Sequence, residues 1–210
     1  MPRPVNADAA ATKQRILDSA LQLFGQRGID GVSLRELAAD AQVSSAMIHH
    51  CFGGKDGLRQ AAIDTMYSKL QNLSVEMMML LREGESPSAG AVFDRAVAVS
   101  FQFVRNHQSA VRWLLRDVAA RGSLDSERVA STYAPFMNAV TARLSEMTGV
   151  EASALRMPLH SSITLVSRYG ISDDDELLRL TGADDVQTAT AVVQEELRQT
   201  VRQLMRLPAN

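Results

Sequence analysis

The chain contains one cysteine, Cys51, in 210 residues, and it lacks any long apolar run. A single thiol cannot form an internal disulfide, so the chain needs no oxidising compartment. No segment approaches the roughly 18 consecutive apolar residues of a membrane span, and the first residues, MPRPVNADAAA, lack the apolar core of a secretory signal. These absences predict a soluble cytoplasmic protein that does not contact a membrane.

An excess of positive charge is also missing, since the formal net charge is -2. Nucleic-acid-binding proteins often carry a basic surface, so composition alone gives no such indication here. The charges are slightly uneven along the chain: residues 1–59 hold seven basic and six acidic side chains, which leaves about -3 for the rest. This asymmetry has the sign expected of a DNA-binding N-terminal part, but it is too small to identify one.

Patterns typical of catalysis and metal binding are absent as well. The four histidines and the one cysteine have no metal-ligand spacing, and there is no Ser/His/Asp setting or glycine-rich phosphate loop. We expect no metal, no cofactor and no enzymatic activity. A redox role for Cys51 stays as an alternative, but its place on the inner face of a predicted helix favours a plain buried thiol.

The sequence is rich in apolar residues that recur at three- and four-residue spacing, and it has no useful length of β-type alternation. Hydrophobic residues make up 46% of the chain, which suffices for a core. We expect an all-α protein with a flexible N-terminal arm at residues 1–11. Beyond residue 55, periodic segments and their breaks predict helices at about 56–82, 89–105, 109–121, 126–148, 151–169, 175–181 and 186–206.

Residues 12–58 predict three short helices and the start of a fourth. Thr12 is a suitable N-cap for the first helix, and Gly28 is a suitable stop after it. Ser33 and Glu36 match the capping box S-x-x-E at the start of the second helix, and Ser44 is the expected N-cap of the third. The second and third helices therefore have the spacing of a helix-turn-helix, the unit that places its second helix in the DNA major groove.

The outward face of the third predicted helix offers few groups that could bind DNA. In a helix-turn-helix, the N-terminal residues of the second helix reach the base edges, and helix starts suit phosphate contacts. No lysine or arginine lies on this outward face. The same spacing also occurs in folds that do not bind DNA, so both interpretations stay open at this point. The candidates for DNA contact are Ser33, Arg35, Ser44, Ser45, Ala46, Met47, His49, His50 and Lys55.

Residues 12–58 resemble the DNA-binding domain of the TetR family of bacterial transcription regulators. The matching residues are Ile16-Leu17-x-x-Ala20-x-x-Leu23-Phe24, Gly28, Val32-Ser33-Leu34-Arg35-Glu36-Leu37-Ala38, Ala41-x-Val43-Ser44, Ile48, His50 and Phe52-Gly53-x-Lys55-Asp56-x-Leu58. The resemblance implies an all-helical homodimer, in which residues 12–55 form a helix-turn-helix DNA-binding domain and residues 56–210 form a helical regulatory and dimerisation domain. It also implies phosphate contacts for Ser33 and Lys55, and base or backbone contacts for Ser44, Ser45, Met47, His49 and His50.

The chain departs from the family pattern at several of these positions. Gln42 stands where the family favours glycine, and a left-handed conformation there would cost roughly 1–2 kcal/mol, so we expect a turn of a different shape. Ser45 stands where lysine is frequent, which removes a positive charge, and His49 replaces the usual tyrosine. We therefore expect weaker non-specific DNA affinity and a shallower salt dependence than in a relative with that lysine.

The predicted regulatory domain implies a ligand pocket, for which apolar and aromatic residues are candidates. Trp113 is the strongest of them, because it combines a large apolar face with a hydrogen-bond donor. The alternative is that these side chains, which recur at helical spacing, only form the core. The ligand-binding candidates are Met77, Phe101, Phe103, Trp113, Tyr133 and Met137, followed by Phe136 and Tyr169, with His107, His160 and Arg168 as polar candidates.

Two apolar stripes in the last long helices are candidates for the dimer interface that the resemblance implies. They consist of Leu155, Leu159, Ile163 and Val166, and of Ala189, Val193, Leu197 and Leu204, with Val192, Glu196 and Val201 beside them. Two such faces per subunit suit an isologous four-helix bundle, and the alternative is that both stripes close the monomer.

The predicted function is that of a sequence-specific DNA-binding transcription regulator. We expect a dimeric repressor that a small-molecule ligand releases from a palindromic operator in double-stranded DNA. One alternative is an activator, or a regulator controlled by a partner protein. An alternative of another class is a helical small-molecule-binding protein or enzyme in which the helix-turn-helix pattern is accidental.

Overall fold

The computed structural model describes residues 5–82 and 89–206, and these ranges contain helices and no strands. The predicted all-α class is therefore confirmed. The helices are α1 Val5–Arg27, α2 Leu34–Asp40, α3 Ser45–Phe52, α4 Lys55–Arg82, α5 Ala89–Asn106, α6 Gln108–Arg121, α7 Ser126–Arg128, α8 Ala134–Thr148, α9 Ala152–Gly170, α10 Asp174–Thr181 and α11 Val186–Leu204, with a π-helical turn at Val129–Tyr133 between α7 and α8. None of the described helices is both long and apolar enough to cross a membrane.

The first helix begins earlier than predicted, at Val5, so the expected flexible arm is wrong for residues 5–11. Residues 1–4 of that arm lie outside the described residues. Three consecutive alanines at 9–11 are strong helix formers, and Asp8 in the first turn suits the positive end of the helix dipole. Thr12 therefore lies inside α1 instead of capping it. The predicted stop is confirmed, since α1 ends at Arg27 and Gly28 is left-handed with φ 73°.

The helix that was predicted over 126–148 is interrupted by the π-helical turn Val129–Tyr133. Pro135, in the first turn of α8, has no backbone N–H and cannot donate to the carbonyl one turn before it. The proline ring also clashes with the carbonyl four residues before it, which disturbs the regular α-helical register at this point. The apolar periodicity alone does not contain this information, so it predicts one uninterrupted helix through the segment.

The first compact unit comprises residues up to Leu70 and Ser109–Ser123. Its core contains Ile16, Phe24 and Ile48, all with no exposed surface, and the Phe24 and Trp113 rings lie 5.4 Å apart. A Cβ atom on Gly25 would lie 2.1 Å from the Ser109 carbonyl oxygen, so only glycine permits this approach of α1 to α6. The unit is therefore larger than the proposed DNA-binding domain at 12–55, because it also includes α6 and the first part of α4.

The second compact unit comprises Gln71–Gln108 and Leu124–Asn210. In it, α5 packs on α9 and α11, α8 packs on α9, and α10 packs on α11. The Arg202 guanidinium donates to both carboxylate oxygens of Asp94, at 2.8 and 2.6 Å, and so ties α11 to α5. Arg105 and Gln108 donate to the Ser172 carbonyl at 2.6 and 2.9 Å, which fixes the corner between α9 and α10.

The two apolar stripes suggested for the dimer interface are largely buried within the single chain. The buried members are Leu155, Leu159, Val166, Ala189, Val193, Leu197 and Val201, whereas Ile163 and Leu204 are half-buried and Val192 is exposed. The buried residues close the core of the second unit, as the alternative interpretation held. These buried side chains are therefore not exposed for an interface between copies of the chain.

Candidate DNA interface

The turn between α2 and α3 keeps a left-handed residue although glycine is missing. Gln42 has φ 55°, its N–H donates to the Ala39 carbonyl at 3.2 Å, and the Val43 N–H donates to the Ala38 carbonyl at 2.8 Å. These two bonds form a Schellman motif, which ends α2 and directs the chain into α3. The expectation of a different turn shape is therefore wrong, and Gln42 bears the conformational cost instead.

Helix α3 presents an exposed outer face that carries both polar and apolar side chains. Ile48 has no exposed surface and holds the helix on the core, while Met47 is 39% exposed. The Ser44 hydroxyl accepts from the Met47 N–H at 3.1 Å, which confirms the predicted N-cap. Of the predicted DNA-contacting residues on α3, Ala46, Met47, His49 and His50 are exposed, together with the N-cap Ser44, and Ser45 is half-buried. Cys51 is also half-buried, so it is more accessible than the buried thiol that was predicted.

The start of α2 is a closed capping box. The Ser33 hydroxyl accepts from the Glu36 N–H at 3.2 Å, and the Glu36 carboxylate accepts from the Ser33 N–H at 2.8 Å. Arg27 donates to the same carboxylate at 2.8 Å. The hydrogen bonds from Ser33 and then from Arg27 lower the pKa of Glu36 to about 2, so the carboxylate is ionised at neutral pH. Ser33 therefore has only its hydroxyl proton left for a phosphate, beside the exposed Arg35.

Two glycines shape the junction between α3 and α4. Gly53 has φ 74° and Gly54, which is buried, has φ 118°. A Cβ atom on Gly54 would lie 3.3 Å from the His49 ring, so the ring lies directly over the glycine. Lys55 follows as the first residue of α4 and is half-buried. The junction thus brings His49 close to the N-terminal end of a long helix, where free N–H groups favour anions.

One cation beside α3 was not among the predicted contacts. The Lys13 ammonium of α1 lies 5.5 Å from the centre of the Phe52 ring, at the C-terminal end of α3. Local sequence patterns carry no signal for this contact, because the two residues belong to helices that meet only in the folded unit.

The six predicted ligand-binding residues are divided between the two compact units, with Trp113 in the first and the other five in the second. Met77, Phe101 and Met137 are buried core residues of the second unit. Trp113 packs on Phe24 in the first unit, and the Phe103 ring stacks on His107 at 4.6 Å. Tyr133 is half-buried, and its hydroxyl is 2.5 Å from Nδ1 of His160.

The remaining pocket candidates have varied surroundings. Arg168 donates to Glu176 at 2.5 Å and to the Ser172 hydroxyl at 2.9 Å, and Tyr169 is half-buried. Phe136 lines an open groove of about 680 Å³ in the second unit. The other lining residues are Gln71, Asn72, Ser74, Val75, Met78, Met79, Arg82, Ser131, Thr132, Pro135 and Ala139. They come from α4, the π-helical turn and α8, and no sequence spacing marks a surface built from such separate segments.

The chain resembles known regulators in sequence. Residues 16–62 match the family model described as bacterial regulatory proteins, tetR family. The HTH-type transcriptional regulator BetI of Brucella abortus (strain 2308) is 32% identical over 123 residues, which are 58% of this chain and 60% of BetI. The probable HTH-type transcriptional regulator YttP of Bacillus subtilis (strain 168) is 31% identical over 125 residues, 59% of this chain and 58% of YttP. The chain thus matches about three fifths of the length of these relatives.

Solved structures with the same fold cover nearly the whole chain. A TetR-like transcriptional regulator from Rhodococcus sp. RHA1 superposes with a TM-score of 0.59 at 20% identity, over 97% of this chain and 98% of the other. The TetR family regulator PfmR from Thermus thermophilus has a TM-score of 0.58 at 19% identity, over 93% and 100% of the two chains. At these identities the likeness concerns the fold alone.

Proposed function

Because the chain belongs to the TetR family of bacterial regulatory proteins, we propose that it is a sequence-specific DNA-binding transcription regulator. The observation that carries the proposal is the exposed outer face of α3, which follows a left-handed turn and a capped α2 within residues 16–62. This is the arrangement in which a helix-turn-helix inserts its second helix into the major groove. We propose that the protein acts in the cytoplasm and has no enzymatic activity.

The proposed DNA contacts divide into two groups. On α3, the exposed Ala46, Met47, His49 and His50 would reach base edges, with Ser45 at the margin of this face. Met47 and Ala46 can make only apolar contacts, for instance with a thymine methyl, while the histidine rings can donate hydrogen bonds. Around this face, Ser33, Arg35, Ser44 and Lys55 would contact phosphates and fix the orientation of the helix.

A homodimer would place two copies of α3 on a palindromic operator, in line with the common behaviour of the family. We propose that a small-molecule effector binds the second unit and that its binding changes the affinity for DNA. The groove lined by Val75, Met79 and Phe136 is the candidate effector site. Helix α4 carries Lys55 at its first residue and lines the groove from Gln71 to Arg82, so a shift of this helix would couple the two sites. Repression relieved by the effector is the proposed mode of action.

Selection of bound duplexes from a random DNA pool, followed by gel shift on the selected sequence, tests the proposal. Replacing His49 and His50 by alanine should weaken binding to the selected duplex by about tenfold or more, because base-edge contacts are lost. Gln203→Ala removes an exposed polar side chain of α11 and should leave binding unchanged. If the wild-type protein selects no sequence and binds no duplex at low salt, the proposed function is wrong.

A further inference from the structure

The outward face of α3 has no lysine or arginine of its own. At 100° per residue, Ser45, His49 and Phe52 lie along one flank of this helix, between its buried side at Ile48 and its exposed side at Ala46 and His50. Any cation close to this flank would lie beside the groove-facing residues. Phosphates border the major groove on both sides, so a positive charge at this flank of α3 would lie where it contributes most to binding.

Helix α1 supplies such a cation. Lys13 lies one turn before the fully buried Ile16, on the side of α1 that faces the core of the first unit. The Lys13 ammonium is 5.5 Å from the centre of the Phe52 ring, and Lys13 is exposed to solvent. A cation–π contact of about 0.5–1 kcal/mol orients the side chain without neutralising its charge. Among the described residues, no carboxylate forms an ion pair with Lys13.

We infer that Lys13 binds a DNA backbone phosphate at the Ser45–Phe52 flank of α3 and supplies the positive charge that α3 itself lacks. The inference rests on the proposed DNA-binding function. Phe52 acts as a positioning residue, since its ring holds the ammonium at this flank. The contact is independent of base sequence, because a phosphate presents the same oxygens at every base step.

The contact has a specific signature in the salt dependence of binding. Each neutralised phosphate releases condensed counterions and contributes about -0.9 to the slope of log K against log salt concentration. Loss of Lys13 should therefore reduce the magnitude of this slope by about 0.9 and weaken low-salt binding by roughly 3- to 10-fold. A residue that only stabilised the fold would lower the melting temperature and leave the slope unchanged.

The experiment measures binding of a fluorescently labelled random-sequence duplex by anisotropy across a salt series. Lys13→Gln is compared with Lys13→Arg, which keeps the charge, and with Arg15→Gln. Arg15 is exposed on the same helix, about 200° around from Lys13, so its loss removes an equal charge from another side. The double variant Lys13→Gln with Ser45→Lys places a lysine back at the same flank, from α3 instead of α1.

We expect a shallower slope for Lys13→Gln, slopes close to wild type for Lys13→Arg and Arg15→Gln, and recovery in the double variant. Equal effects of Lys13→Gln and Arg15→Gln would overturn the inference, because they would show only a general loss of charge. An unchanged slope in Lys13→Gln, with normal wild-type binding, would overturn the inference while leaving the proposed function intact. Absence of duplex binding by the wild type would overturn both. Thermal melting by circular dichroism confirms that each variant is folded.

Discussion

At the scale of the residue, Gln42 is a strained position in the turn of the helix-turn-helix. Its φ of 55° lies in the left-handed region, which costs a non-glycine residue about 1–2 kcal/mol. Glycine avoids this cost but gains backbone entropy in the unfolded chain, which offsets about 0.5–1 kcal/mol. Gln42→Gly should therefore raise the free energy of unfolding by about 0.5–1 kcal/mol in urea denaturation. Gln42→Ala retains the Cβ strain and is the matched control; stabilisation by alanine as large as by glycine would contradict the explanation.

A second prediction at this scale concerns Glu36 and pH. Its pKa is lowered from 4.5 to about 2, first by hydrogen bonds from Ser33 and then by Arg27. A lowered folded-state pKa means that the ionised carboxylate stabilises the fold above about pH 4.5, and that this contribution is lost as the pH falls towards 2. Urea unfolding between these pH values should show a weaker pH dependence for Glu36→Gln than for the wild type. Identical pH profiles of the two proteins would show that the capping box contributes nothing to acid sensitivity.

At the scale of the element, the close contact of α1 and α6 depends on one glycine. A Cβ atom on Gly25 would lie 2.1 Å from the Ser109 carbonyl oxygen, a backbone atom that cannot turn away. Gly25→Ala should therefore destabilise the protein by about 3 kcal/mol or more, at the upper end of overpacking effects. Gly122 has φ 72° with no atom within 4 Å of its Cβ position, so Gly122→Ala adds only conformational strain. Thermal unfolding should rank Gly25→Ala well below Gly122→Ala; the reverse order would contradict the packing argument.

The helices show which features the sequence can predict. The starts of α2, α3 and α10 follow from local chemistry, because a serine or aspartate side chain before each helix accepts from its third N–H. Left-handed glycines end two of these helices, Gly53 after α3 and Gly182 after α10. These signals act within a few residues, so they can be recognised in a single sequence. The association of α6 with α1 through Gly25, and the contact of Lys13 with Phe52, join segments that are distant along the chain. Periodicity identifies the buried face of each helix, but not the helix on which it packs.

The candidate site divides in the same way. The exposed face of α3 follows from helical spacing, since Ile48 alone fixes which side is buried. The prediction of ligand-binding residues rests on size and aromaticity, which do not distinguish a cavity lining from a core. Phe101 and Met137 are core residues, whereas the exposed Val75 and Met79 line the groove. Pocket positions depend on the gaps between packed helices, and these are set by tertiary structure.

At the scale of the whole molecule, the small net charge limits how the proposed regulator would bind DNA. With a net charge of -2, long-range attraction to a polyanion is weak, so the electrostatic part of the affinity must come from a few well-placed cations. The candidates for this role in the first unit are Lys13, Arg35 and Lys55. The groove-facing side of α3 itself carries no lysine or arginine. Such a regulator should depend strongly on base-edge contacts and weakly on non-specific attraction.

That dependence makes the geometry of the operator decisive. In a homodimer two α3 helices meet the same face of the duplex, and half-sites must then be separated by a whole number of helical turns of about 10 base pairs. Inserting about five base pairs between selected half-sites turns one of them to the opposite face and should reduce affinity to that of a single half-site. Inserting about ten base pairs returns both half-sites to the same face of the duplex and should recover part of the affinity, although the dimer must then span a longer distance. Equal binding by all three spacings in a gel shift would mean that each half-site is bound independently, and the dimeric mode of action would have to be abandoned.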